Sequence, residues 1–457
     1  MFKVINLETI LQTSSLTQSL ITKLRASISD NTLKRASMHL LDWLACSVAA
    51  RQSPLSQKLK TAYGRSPEVG LFAKREGHEL PQHIAFLASL GHQLEMDDVH
   101  KASTLHPGPI ACPVALCLAQ QTDAKPKTLL SSIVVAYETI IRIGEALGRS
   151  HYQYFHTTST CGSFGAASAA AILYKLTEQQ WLWALGNAGT RTGGLWQMRH
   201  ENVDSKAIHN AQAARTGWEA AHFARENISG PAFILEGPQG LFTALSDDAE
   251  PSRITQDQPT WLIEAMSIKP WPCCRHIHAA IDALAIALES HNRQDIETVE
   301  VRTYADALKF CDIPEPNSEQ QAKFSIQHAL AVMISQNQLT LSDFSKAAIN
   351  NSDYVHWRSR ITVTECDDAN TRYPEHFSAQ VAIHGKSGNV SRHTCPDAWG
   401  DPENPLHFDD LINKVKLLFD SANVNAGTTQ NVIEAIVELP HQSTCLNLWK
   451  ALNEIPH

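Results

Sequence analysis

Apolar residues recur at three- and four-residue spacing through most of the first half of the chain. The pattern is clear in TLKRASMHLLDWLACSVAA (32–50), PVALCLAQQ (113–121) and LLSSIVVAYETIIRIGEALG (129–148), and it predicts helix after helix from residue 1 to about 265. GSFGAASAAAILYKL (162–176) is rich in Gly and Ala. Small residues let helix backbones approach closely, so this helix is expected at the centre of a helical bundle. The character changes near Lys269. A helix, HIHAAIDALAIALES (276–290), precedes the alternating run IETVEVRTY (296–304). RITVTEC (360–366) and FSAQVAIH (377–384) read as further strands, and GKSG (385–388) as a hairpin turn into NVSRHTC (389–395). A helix at EQQAKFSIQHALAVMI (319–334) is expected between the first two strands. After WGDPENPL the run FDDLINKVKLLFDSA (408–422) turns helical again. The predicted fold is mainly α: a large all-helical domain (1–265, completed by 400–457) plus a smaller α+β lid domain (266–399).

Composition narrows the function classes. Of 457 residues, 43% are hydrophobic and 19% charged, which is the composition of a folded chain. A net charge of −9 argues against nucleic-acid binding, yet a local cationic cluster can still serve an anionic small molecule. Ten scattered cysteines with no CxxC pair read as buried thiols rather than as disulfides, zinc ligands or cluster ligands. The most apolar window carries Glu138 and Arg142, so no membrane span is expected. The N-terminal MFKVINLETILQTSS lacks a basic start followed by an apolar core, and a cytoplasmic location is expected.

Four polar segments could carry chemistry. LEMDDVHKASTLHPGP (94–109) holds Glu95, Asp97, Asp98, His100, Lys101, Thr104 and His106 between apolar helices. Its plainer readings are helix capping by Asp97 and Asp98, or a metal site. SIKPWPCCRHIHAAIDAL (267–284) places Lys269, Cys274, Arg275, His276 and His278 before a helix, whose free N–H groups favour an anion. There the plainer reading is a rigid crossover with its cations in water. FHTTSTCGSFGAAS (155–168) offers His156, with Thr158, Ser159 and Thr160 as N-cap residues. ENVDSKAIHNAQAARTGWEAA (201–221) puts Lys206 at a helix start, against the dipole, so Lys206 should face something negative: Asp204 or a substrate carboxylate.

Taken together and in order, LLDWLACSVA, LEMDDVHKASTLHPGP, YETIIRIGEAL, FHTTSTCGSFGAASAAA, KPWPCCRHIHAAIDAL, PEPNSEQQAKFSIQHALA and GDPENPLHFDDLINKV resemble the MmgE/PrpD family. That family includes 2-methylcitrate dehydratases, cis-aconitate decarboxylases and iminodisuccinate epimerases. The resemblance implies a homodimer without metal or organic cofactor, a small di- or tricarboxylate substrate, and a site between the two domains. It places that site at Asp97 and Asp98, His106, Lys206 and the Lys269 segment. Cys274 and Phe310 stand where the decarboxylase branch carries His and Tyr, and Val99 and His100 replace an aromatic and a Thr.

All three chemistries make or quench a carbanion beside a carboxylate. A base must reach the proton, and fixed cations must hold the developing charge. His106 is the expected acid/base, oriented by Asp97 or Asp98. Lys206 joins it, and His278 is a second proton donor. Lys269, Arg275, His276, Cys274, His100, Thr104 and His156 are expected around the substrate. Dehydration of a 2-methylcitrate-like acid leads the readings, with epimerisation or decarboxylation as alternatives. A carboxylate-binding protein without chemistry and a metal-dependent hydro-lyase are the rivals from other classes.

Overall fold

The computed structural model describes residues 14–65, 70–201 and 203–456. Most of the N-terminal stretch, residues 1–13, lies outside them, as does Asn202 of the ENVDSK segment. The fold is mainly helical, with one small mixed sheet in the C-terminal region, as the hydrophobic periodicity predicts. The chain forms two compact units. The first comprises 1–91, 103–264 and 419–457, and the second 92–102 and 265–418. The acidic segment 92–102 thus packs with the sheet-bearing part of the chain.

In the first unit, α1 (Gly108–Thr122), α2 (Pro126–Tyr154), α3 (Thr157–Leu173) and α4 (Ser205–Arg225) pack side by side. Every residue of α3 except Ile172 is buried. Its small residues explain this. A Cβ on Gly165 would stand 2.2 Å from Ile140 of α2, and one on Gly217 of α4 would stand 2.2 Å from the Ser163 carbonyl of α3. The two charges inside the apolar window of α2 answer each other: Arg142 Nε donates to Glu138 Oε1 at 2.7 Å. Glu138 Oε2 accepts the Leu262 N–H, also at 2.7 Å. Among the described residues no helix is long and apolar enough to cross a membrane.

In the second unit, β1 (Ile296–Thr303) lies between β2 (Ile361–Glu365), parallel to it, and β3 (Ala379–Gly385), antiparallel. β4 (Val390–Cys395) follows β3 through the expected Gly385–Gly388 turn, where Gly388 takes φ +86°. Val299 pairs with Ile383 and Val301 with Val381. These side chains join Ile277, Ile281 and Leu284 of α5 (Arg275–Glu289) in one core. The helix expected at 319–334 is two pieces, Glu319–Lys323 and α6 (Ile326–Gln336). Ser325 caps α6 by accepting the His328 N–H, which restarts the helix there. Nine of the ten cysteines are buried and all ten are free thiols.

Candidate functional site

The acidic segment of the second unit is neither a helix cap nor a solvated loop. The preceding helix, Glu79–Leu90, ends before it, and Asp97, Asp98, His100 and Lys101 are all buried. Asp97 Oδ2 lies 2.6 Å from His92 Nδ1, and His92 Nε2 lies 3.5 Å from Glu95 Oε1. Lys269 Nζ is 3.6 Å from Asp97 Oδ1 and 3.8 Å from Glu95 Oε2, and donates to the Glu95 carbonyl at 3.2 Å. Two more lysines grip the same backbone: Lys414 donates to the Met96 carbonyl at 2.7 Å and Lys323 to that of Gln93 at 3.3 Å. Ammonium groups thus shape the segment from three sides. A two-way bridge, Val99 with Ser267, fastens its far end. Burial, with Lys101 beside it, pushes His100 down to about 4.

In the second expected segment Lys269 and Cys274 precede α5, as expected, but the other three residues lie inside it. Arg275, His276 and His278 are first-turn residues, with Cys274 at the N-cap, and all are buried rather than facing water. Arg275 pairs with the buried Asp401, which also accepts from Ser267 Oγ. Burial pushes the Asp401 carboxyl up, but Arg275 and Lys101 outweigh it and hold it below the usual range. Tyr304 Oη lies 2.7 Å from His276 Nδ1, and Phe310 and Phe377 stack on the ring. Burial drives His276 down to about 4, so it is neutral near pH 7. His278 Nε2 sits 3.2 Å from the Cys273 carbonyl and therefore carries the proton. Burial and the nearby Arg275 and Lys269 push His278 far below its ordinary value. Cys311 hydrogen-bonds Cys274 and draws that thiol below its usual value, against burial.

In the first unit, His156 is itself the N-cap of α3. Thr158, Ser159 and Thr160 lie in the first turn and serve neighbouring segments instead of capping. Thr158 Oγ1 accepts the His106 N–H at 3.1 Å. Thr160 Oγ1 is 3.2 Å from His151 Nε2, and Ser159 Oγ donates to the His209 carbonyl at 3.4 Å. His106 and Thr104 are half-buried, and Thr104 takes φ +50°. Lys206 lies in the first turn of α4, while Asp204 pairs with Lys58 at 3.2 Å. His156 Nδ1 and His209 Nδ1 stand 3.3 Å apart.

Two residues of these clusters escaped the sequence reading: His92 and Asp401. His92 lies five residues before Asp97 in a segment read as helix flank, and Asp401 lies in a Gly-Asp-Pro turn read as a boundary. Within the second unit, His376, Asp397 and Glu403 bring ligand atoms close enough to share an ion. Lys101 Nζ, 2.7 Å from Glu403 and 3.5 Å from Asp397, already brings positive charge there.

The MmgE/PrpD N-terminal domain model matches residues 16–254 and the MmgE/PrpD C-terminal domain model matches 271–439. The chain belongs to the MmgE/PrpD family. Its relatives include the cis-aconitate decarboxylase of Homo sapiens, 21% identical over 93% of this chain and 91% of the relative. The cis-aconitate decarboxylase of Mus musculus is 20% identical over 90% and 86%. That of Aspergillus terreus strain NIH 2624 is 24% identical over 93% and 92%.

Proposed function

We propose that this MmgE/PrpD protein is a cofactor-independent lyase that removes a proton next to a carboxylate of a di- or tricarboxylic acid. Loss of water from a 2-methylcitrate-like acid is the leading reaction. The observation that carries this reading is the buried trio of His92, Asp97 and Lys269. It combines an imidazole oriented by a carboxylate with an ammonium 3.6 Å from that carboxylate. Asp97 accepts the Nδ1 proton, so Nε2 is the nitrogen that exchanges protons. His106 remains the second acid/base candidate. In the step itself the base takes the C–H proton, the C=C bond forms, the C–O bond breaks, and the hydroxyl leaves as water with a proton from the acid. The Lys269 ammonium stabilises the enediolate charge that builds on the carboxylate. A homodimer belongs to the same reading, and sedimentation checks it.

Decarboxylation is the second reading, because the relatives named above are cis-aconitate decarboxylases. Cys274 and Phe310 weigh against it. Cys274 is taken up by Cys311, and Phe310 stacks on His276, so neither position offers an imidazole or a phenol. The test incubates the full chain with citrate-like and 2-methylcitrate-like acids and with cis-aconitate in deuterated water, followed by product NMR. Formation of an unsaturated acid, with deuterium washed into the recovered substrate at the carbon beside the carboxylate, supports dehydration. Release of CO₂ replaces it with decarboxylation, and inversion without loss replaces it with epimerisation. If no acid exchanges a C–H proton, the enzyme reading fails.

A further inference from the structure

Two imidazoles of the first unit meet nitrogen to nitrogen. His156, at the N-cap of α3, and His209, in the second turn of α4, present their Nδ1 atoms to each other at 3.3 Å, with ring centroids 5.5 Å apart. The contact is held from several sides. The His156 N–H donates to the Gly194 carbonyl at 2.8 Å. Trp196 packs on the His156 ring at 4.6 Å. Ser159 Oγ donates to the His209 carbonyl at 3.4 Å. Gly194, at φ +126°, leaves the room the rings need: a Cβ there would stand 2.8 Å from Ser159 Oγ and 3.2 Å from His209 Nδ1.

This geometry restricts the protons. Two bare Nδ1 lone pairs at that distance repel, and so do two Nδ1–H groups. One ring must donate and the other accept. The donor ring then has a bare Nε2, and the acceptor ring has an Nε2–H. We infer that His156 and His209 share a single Nδ1 proton and act as one acid/base unit, in which His209 sets the tautomer of His156. When the bare Nε2 takes up a proton, the shared proton crosses and the other ring releases its Nε2 proton, so both rings stay neutral while their base and acid ends exchange. A proton-transfer lyase needs both functions, one at the C–H and one at the leaving hydroxyl. Burial, and then Lys206 one turn earlier on α4, disfavour a charge on His209. His209 is thus a positioning residue, and its use in turnover rests on the lyase reading above.

Long-range imidazole ¹⁵N–¹H spectra of the full-length protein near pH 8, assigned with His156→Gln and His209→Gln, test the proton sharing directly. One ring with Nδ1–H and one with bare Nδ1 is expected, with the His156 pattern changing in the His209 variant. Two rings in the same tautomer, or two imidazolium rings, would overturn it. This spectrum decides the pair even if no carboxylic acid is turned over. With a substrate in hand, His209→Leu should lower kcat at least tenfold with KM changed less than threefold. His209→Asn, which can accept or donate at the same place, should recover part of the loss. Full kcat in His209→Leu would remove the pair from catalysis.

Discussion

Asp97 Oδ2 stands 2.6 Å from His92 Nδ1, with both side chains buried. The relationship fixes one tautomer, and in the proposed reaction Nε2 exchanges the protons. Asp97→Asn keeps the shape but offers an N–H in place of one acceptor, so the ring loses its orientation. Turnover should fall on the order of 100-fold or more, the usual contribution of a positioned acid/base. Asp97 also faces Lys269, so loss of fold must be separated from loss of chemistry. Circular dichroism and a melting curve do this, and His92→Gln provides the second variant. If both variants fold and keep full kcat, the dyad has no catalytic part.

Arg275 and Asp401 form a buried ion pair in the second unit, with Lys101 3.6 Å from the same carboxylate. Removing one partner strands a charge away from water, which costs about 3–5 kcal/mol. Asp401→Ala should therefore shift the urea midpoint sharply downward. Arg275→Met combined with Asp401→Leu should recover part of that loss, because no lone charge remains between them. Equal loss in the single and double variants would show that packing, not charge, sets the cost.

How much of this was legible beforehand follows from the range of each signal. Helices and strands are local patterns, and the alternation of Val299, Val301 and Thr303 or the three-four spacing of α2 placed them well. The lysine clasp on 92–102 is not local: Lys269, Lys323 and Lys414 come from three distant stretches and bind carbonyls, which carry no sequence label. Thr158, Ser159 and Thr160 looked like caps because cap residues are recognised by type, whereas the start of α3 is set by backbone geometry at His156. His92, and the pairing of His209, stayed hidden for a related reason. A histidine becomes chemistry only through the partner that its nitrogen meets, Asp97 in one case and His156 in the other.

Gly217 measures how closely α3 and α4 approach. An added Cβ would lie 2.2 Å from the Ser163 carbonyl oxygen, 2.4 Å from Ala166 Cβ and 2.7 Å from the Ala167 nitrogen. Two of the three are backbone atoms and cannot turn aside. Alanine has the better helix propensity by about 1 kcal/mol, which alone would stabilise α4. Overpacking of this kind costs about 1–3 kcal/mol and should win. Gly217→Ala is expected to lower stability in denaturant titration. A variant at least as stable as the parent would mean that the helices can separate freely.

Stability should fall steeply in mild acid, and four buried rings give the reason. His100, His151, His276 and His328 are each pushed down to about 4, mainly by burial. For His328 the geometry agrees: Nε2 donates to the Asp343 carbonyl at 2.7 Å while Nδ1 faces Arg358 Nη1 at 3.1 Å, so the ring has no place for a second proton. An unfolded histidine takes its proton near pH 6.5. Above that value neither state is protonated and the full stability is present. Between about 6.5 and 4 only the unfolded chain binds protons, so stability drops as pH falls, and the loss levels off below about 4. Each ring contributes on the order of 3 kcal/mol over that window. Urea midpoints measured at half-unit steps from pH 8 to pH 5 should hold level and then decline below 6.5. His328→Gln should make the decline shallower by about one proton. A flat profile down to pH 5 would show that these rings accept protons within the folded state.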